Sequence, residues 1–179
     1  MFILQCLYFM LPAYFANMLP LLVRKVKFLN VPVDFNKTWK GKPILGSHKT
    51  WKGLFFGVIA GVVIAYFQKL LYAYHAYPFF AELSFVDYSN WLALGFLLGA
   101  GALVGDMVKS FFKRRVNIKP GKPFIPWDQL DYSIGALLFV AVVFVPSWQI
   151  VVTVIVANFI LHVVANHIGY YLKINDVKW

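Results

Sequence analysis

Residues 46–73 read GSHKTWKGLFFGVIAGVVIAYFQKLLYA, and the change of character at Leu54 decides what kind of molecule this is. Up to Gly53 the stretch is polar and basic. From Leu54 to Ala73 it is a nearly unbroken apolar run. Coiled as a helix, such a run covers the hydrocarbon core of a bilayer, about 30 Å thick. Working outward, runs of comparable length lie at 2–23, 91–112, 131–148 and 149–171. Lipid offers no water to unsatisfied backbone groups, so spans of this kind are helical. The expected fold is therefore all-α: an integral membrane bundle of five transmembrane helices forming one domain over residues 1–179. The first run has neither a basic leader nor a small-residue cleavage site, which reads as a retained helix rather than a signal peptide.

Composition points the same way. The chain is 61% hydrophobic and 13% charged, against about 25% charged in soluble domains. Of its 17 Lys and Arg residues, eight fall between Arg24 and Lys52 and six between Lys109 and Lys122. Basic loops mark the cytoplasmic side, so loops 24–53 and 113–130 are expected on the cytoplasmic side of a cell membrane, with the N-terminus outside and the C-terminus cytoplasmic. The loop 74–90, with Glu82 and Asp87 and no Lys or Arg, is then external. The single cysteine, Cys6, excludes an internal disulfide and a cysteine metal framework. A net charge of +10 packed beside apolar spans suits phosphate-bearing small substrates or anionic lipid rather than nucleic acid. Gly53, Gly57 and Gly61 in one span, with Gly95, Gly99 and Gly105 in the next, recur at helix-contact spacing and are expected to pack helices closely.

Two constellations carry chemistry. In GDMVKSFFKRR, residues 105–115, helical geometry puts Asp106, Lys109, Ser110 and Lys113 on one face. Ionisable groups at the edge of a span are costly and so are functional candidates; the plain alternative is an Asp106–Lys109 or Asp106–Lys113 ion pair. In KPGKPFIPWDQLDY, residues 119–132, Asp128 and Asp131 precede an apolar run. If Pro126 opens the helix, both carboxylates lie in its first turn, where the helix dipole favours them. Asp106, Asp128 and Asp131 together offer an oxygen-ligand cage for Mg²⁺. Lys113, Arg114, Arg115, Lys119 and Lys122 surround it with charge suited to a polyphosphate.

The opening stretch is the third part. With Gly41 it reads GKPILGSHKT, near the nucleotide-binding G-x-x-x-x-G-K-[ST] loop. That loop needs Lys directly after Gly and a buried strand before it; here Ser47 and His48 intervene after a polar segment. What remains is a phosphate-suited set, Gly46, Ser47, Lys49, Thr50 and Lys52, before a helix N-terminus whose amides and dipole would favour an anion.

These three motifs, in this order, resemble the integral-membrane phosphatidate cytidylyltransferases. GSHKTWKG is similar to the family's S-x-x-K-T-x-x-G segment, GDMVKSFFKRRVNIK to its G-D-x-x-x-S-x-x-K-R-x-x-x-x-K run, and IPWDQLD to its D-R-x-D signature. Small size and the shortened FIPWDQLDY look most like the archaeal branch, the CDP-archaeol synthases. The resemblance implies Mg²⁺-dependent transfer of a cytidylyl group from CTP to a lipid phosphate, here one with isoprenoid ether tails. It places Asp106, Asp128 and Asp131 at the metal and Lys113 beside them as catalytic residues. Gly46, Ser47, Lys49, Thr50, Lys52, Lys109, Ser110, Arg114 and Lys119 fall to CTP or lipid phosphate. Gln129 replaces the arginine of D-R-x-D, and Lys109 stands where bacterial members often carry an acid.

A lipid phosphate monoester is already anionic, so attack on the α-phosphorus of CTP needs positioning and charge neutralisation rather than a dedicated base. The tails require a lateral opening between spans, its walls set by the glycine-rich second and third spans. Asn158, His162 and Asn166 share a face of the last span and are expected to satisfy one another or a neighbouring helix. A diacyl ester substrate, or a transporter or lipid-binding scaffold, are the competing readings. A transporter should carry charge at mid-membrane, where only Lys69 and His162 come near.

Overall fold

The computed structural model describes residues 1–73, 78–118 and 122–171. Lys119, residues 74–77 of the expected outer loop and residues 172–179 lie outside them. The helices are α1 (Phe2–Phe9), α2 (Leu11–Leu22), α3 (Trp51–Ala73), α4 (Pro78–Glu82), α5 (Trp91–Arg115), α6 (Trp127–Val140) and α7 (Trp148–Tyr171). A two-stranded antiparallel hairpin, β1 (Thr38–Trp39) and β2 (Lys42–Pro43), is the only sheet among the described residues. Among those residues α3, α5 and α7 are long and apolar enough to cross a membrane, and the bent pair α1–α2 makes a fourth if counted as one span.

The bend has a local cause. The two helices of the first segment meet at 46°, and Pro12, in the first turn of α2, has no N–H to give the carbonyl of Tyr8. Gln68, buried in the last third of α3, donates its Nε2 to that carbonyl at 2.6 Å. A polar side chain in an apolar span is thus spent on the backbone acceptor a proline left open.

The expected span 131–148 is different in the structure. Its helix begins earlier, at Trp127, and ends at Val140 after 14 residues, about 21 Å of rise. Asp128 fixes the start: Phe124 N–H donates to Asp128 Oδ2 at 2.6 Å and Asp128 N–H donates to Phe124 O at 3.0 Å. At the other end Val142 and Val143 form i→i+3 bonds to Phe139 and Val140, and Pro146 lies beyond. Pro126 is the residue before the helix, so only Asp128 lies in the first turn and Asp131 falls past it.

Glycine places the site. A Cβ on Gly61 of α3 would stand 2.8 Å from Gly95 O, and one on Gly101 of α5 would stand 2.5 Å from Gly135 O of α6. Gly105 is tighter still, with Asp131 O at 2.1 Å from its added Cβ. These contacts close α3 against α5 at the level of Gly61 and Gly95. The apolar core, including Phe9, Met10, Leu98, Ala102, Ala136 and Val154, lies where α1, α2, α5, α6 and α7 meet.

Candidate active site

The segment between α2 and α3 is held by two buried charges. Asp34 Oδ2 accepts from the N–H groups of Leu45 at 2.8 Å and Gly46 at 3.1 Å, and Oδ1 accepts from Asn36 N–H at 3.0 Å. Burial works against its charge, but those amides prevail and hold the carboxyl below the usual carboxylate range. Lys52 Nζ donates to Arg24 O at 3.1 Å, Val26 O at 2.7 Å and Asn30 Oδ1 at 2.9 Å, which fills an ammonium's three donors. Gly46 turns the chain with φ +99°, a conformation that glycine adopts freely.

The N-terminus of α3 is closed rather than open to an anion. Trp51 N–H donates to Val31 O, Lys52 N–H to Leu29 O, and Gly53 N–H to the Thr50 hydroxyl at 3.2 Å. Thr50 is the cap of α3 and the segment 29–33 supplies the other acceptors. The expectation of free amides there fails because the basic loop folds back and satisfies them.

Asp106, Asp128 and Asp131 come together as the spacing suggested, and an ammonium sits between them. Lys109 Nζ is 3.1 Å from Asp106 Oδ1, 3.2 Å from Asp128 Oδ1 and 2.7 Å from Asp131 Oδ2. Lys49 pairs with the other oxygen of Asp106. Lys113 donates to Asp128 Oδ1 at 3.0 Å and to the carbonyl of Lys122 at 2.6 Å. Three carboxylates and three ammonium groups make a neutral cluster. Asp131 is buried, and its Oδ2 is paired with the Lys109 ammonium. Among the described residues no three His, Cys, Asp or Glu side chains are arranged as a ready metal cage.

Two cavities share Asp106 and Asn17 as lining residues. The smaller, about 290 Å³, is polar: Lys109, Lys113, Asp128 and Asp131 face His162 and Asn166 of α7. The larger, about 700 Å³, carries Ser47, His48, Lys49, Thr50 and Arg24 at one end and Leu21, Leu54, Leu103 and Met107 alongside. Pro20, Leu21, Gly53 and Leu54 put its apolar wall between α2 and α3. Late α2, early α3, late α5, early α6 and late α7 all contribute, so five helices bring one end each to the site.

The remaining expected residues are placed differently. Ser110 is buried in α5, and neither it nor Arg114 lines either cavity. Arg115 instead ties the hairpin to α5, donating from Nη1 to Trp39 O at 2.6 Å and from Nη2 to Lys42 O at 3.1 Å. Asn158 accepts from the Tyr14 hydroxyl at 2.5 Å, and Asn166 lies 3.1 Å from His162 Nδ1, as expected of a polar face between helices. That His162 and Asn166 also face the acids was not foreseen, nor were Asn17, Arg24 and Asp34. Asp34 alone had a signal: it is the one acid among eight basic residues of its loop.

The sequence model of the CarS-like family, CDP-archaeol synthase, matches residues 1–179. The chain belongs to the CDP-archaeol synthase family. Relatives named CDP-archaeol synthase include those of Pyrococcus furiosus, 36% identical over 99% of this chain and 98% of the relative, and Thermococcus onnurineus, 38% identical over 99% and 97%. The protein of Archaeoglobus fulgidus is 36% identical over 99% and 98%. A solved structure, described as that of an intramembrane enzyme for archaeal membrane lipids biosynthesis, superposes with a TM-score of 0.73 at 31% identity. It is matched over 92% of this chain and 94% of its own. Family membership and the structural match agree on a membrane-embedded helical enzyme.

Proposed function

We propose that the two cavities divide the substrates of a CTP-dependent lipid-phosphate cytidylyltransferase, the polar one taking the triphosphate of CTP and the larger one the lipid phosphate. As a member of its family the chain transfers a cytidylyl group from CTP to an isoprenoid ether lipid phosphate, giving a CDP-lipid and pyrophosphate. The observation that carries the division is the shared wall: Asp106 and Asn17 line both cavities. The larger cavity alone has an apolar side, at Leu21, Leu54, Leu103 and Met107, against which the tails lie.

Reaction at that junction forms a bond from the lipid phosphate oxygen to the α-phosphorus of CTP and breaks the bond to pyrophosphate. Lys49, on the larger cavity, orients the attacking phosphate, and Lys113, on the smaller, neutralises the leaving pyrophosphate. Thr50 and Lys52, spent on the cap and the loop, shape the wall without binding phosphate. Ser110 and Arg114 support α5, and Lys119 remains a phosphate candidate on sequence grounds.

Mg²⁺ suits the donor set, three carboxylates converging on one cation position, and bound there it would screen the phosphate oxygens. The site faces the cytoplasm of the cell membrane, since both basic loops flank it. Five membrane-inserted segments, α6 being the short one, then leave the N-terminus outside and the C-terminus inside. Pyrophosphate release from CTP with Mg²⁺, with digeranylgeranylglycerol phosphate and diacyl phosphatidic acid offered in parallel, tests the reading. Release with the ether lipid is expected; preference for the diacyl lipid would overturn the tail assignment, and release with neither would overturn the function.

A further inference from the structure

We infer that Lys109 is the resident cation of the site, holding the three carboxylates in place of a divalent ion until nucleotide arrives. Its ammonium lies within 2.7–3.2 Å of one oxygen on each of Asp106, Asp131 and Asp128. Among the described residues no other side chain touches all three. A divalent cation taking those oxygens would come within a few ångströms of the ammonium, and at such separations like charges repel strongly where water is scarce. One cation excludes the other, so loading requires Lys109 to leave.

It has a flexible stem of four carbons and a cavity of about 290 Å³ beside it, lined also by Lys113 and Lys122. That is the cavity assigned to the triphosphate. The ammonium therefore gives up carboxylates only when phosphate oxygens are there to receive it. Lys49 and Lys113 already balance two of the three acidic charges, so a bare divalent ion gains little by entering while Lys109 stays. Metal and nucleotide load together, and the empty site does not hold metal. This rests on the metal reading above, and its test separates the two.

The probe is Mn²⁺, counted as free ion by electron paramagnetic resonance in detergent-solubilised full-length protein. Wild type is expected to bind Mn²⁺ weakly alone and far more tightly with CTP. Lys109→Met should bind Mn²⁺ alone about tenfold or more tighter than wild type, because the competing charge is gone. Lys109→Arg, which keeps the charge, should stay weak, and Lys109→Met with Asp131→Asn should lose the gain. Lys109→Gln, which can still donate to the carboxylates, replaces Lys109→Met if that variant does not fold. If the uncharged variants gain nothing while wild type still binds Mn²⁺ with CTP, the lysine inference is wrong and the metal site stands. If neither wild type with CTP nor the uncharged variants bind Mn²⁺, the metal site itself is wrong and the inference goes with it.

Discussion

Gly105→Ala tests whether helix contact sets the site. An added Cβ would stand 2.1 Å from the carbonyl oxygen of Asp131 and 3.2 Å from Gly135 Cα. A relaxed carbon–oxygen contact is about 3.3 Å, so α6 must withdraw from α5 by about 1 Å. Both obstructing atoms are backbone and cannot swing aside. Withdrawal carries Asp131 from Lys109, now at 2.7 Å, and pulls it out of register with Asp106. Misplacement of that size costs about a hundredfold in rate, and overpacking costs about 1–3 kcal/mol. The control is Gly99→Ala, whose added Cβ meets nothing closer than 3.5 Å. There the intrinsic helical advantage of alanine, about 1 kcal/mol, leaves the protein as stable or more so. Thermal unfolding in detergent and pyrophosphate release are read on both. Wild-type kcat and melting temperature for Gly105→Ala would show that the α5–α6 contact does not position the acids.

Other expected outcomes follow from the loop and the acids. Chelation should stop pyrophosphate release and Mg²⁺ restore it, and Asp128→Asn should lower kcat about a hundredfold or more; full activity of that variant at limiting Mg²⁺ would remove Asp128 from the metal set. Lys52→Met strips the donor from Arg24 O, Val26 O and Asn30 Oδ1 and should cost about 1–3 kcal/mol in stability, whereas a raised KM for CTP at unchanged stability would return Lys52 to phosphate binding. Asp34→Ala should loosen residues 45–46, read as faster proteolysis of that loop. Because the folded carboxyl of Asp34 titrates below its unfolded value, its contribution is complete above about pH 4 and is lost as pH falls through the folded value. Proteolytic opening of the loop should therefore be flat from neutral pH down to that point, and Asp34→Asn should erase any rise below it.

What the sequence made legible was whatever depends on spacing along one element. Asp106, Lys109 and Lys113 share a face because a helix puts them there, and the apolar runs announce their own length. What it hid depends on which segment fills a backbone vacancy elsewhere. Gln68 looks like a stray polar residue until Pro12, 56 positions earlier, is seen to have left Tyr8 O without a donor. The α3 N-terminus looks like an anion site until Leu29 and Val31 supply acceptors to its amides. Lys52 looks like a phosphate ligand until three oxygens of its own loop take it up. In each case a charged or polar group meets a partner that no periodicity points to, since the loop's path is set by many weak contacts rather than by a repeat. Lys109 combines the two. Its place on the acidic face follows from the helix, but its role follows from Asp128 and Asp131 arriving from α6, held there by the glycine contacts at Gly101 and Gly105. Glycines read at first as packing residues thus decide which cation three carboxylates can reach, and that makes helix spacing part of the chemistry of the site.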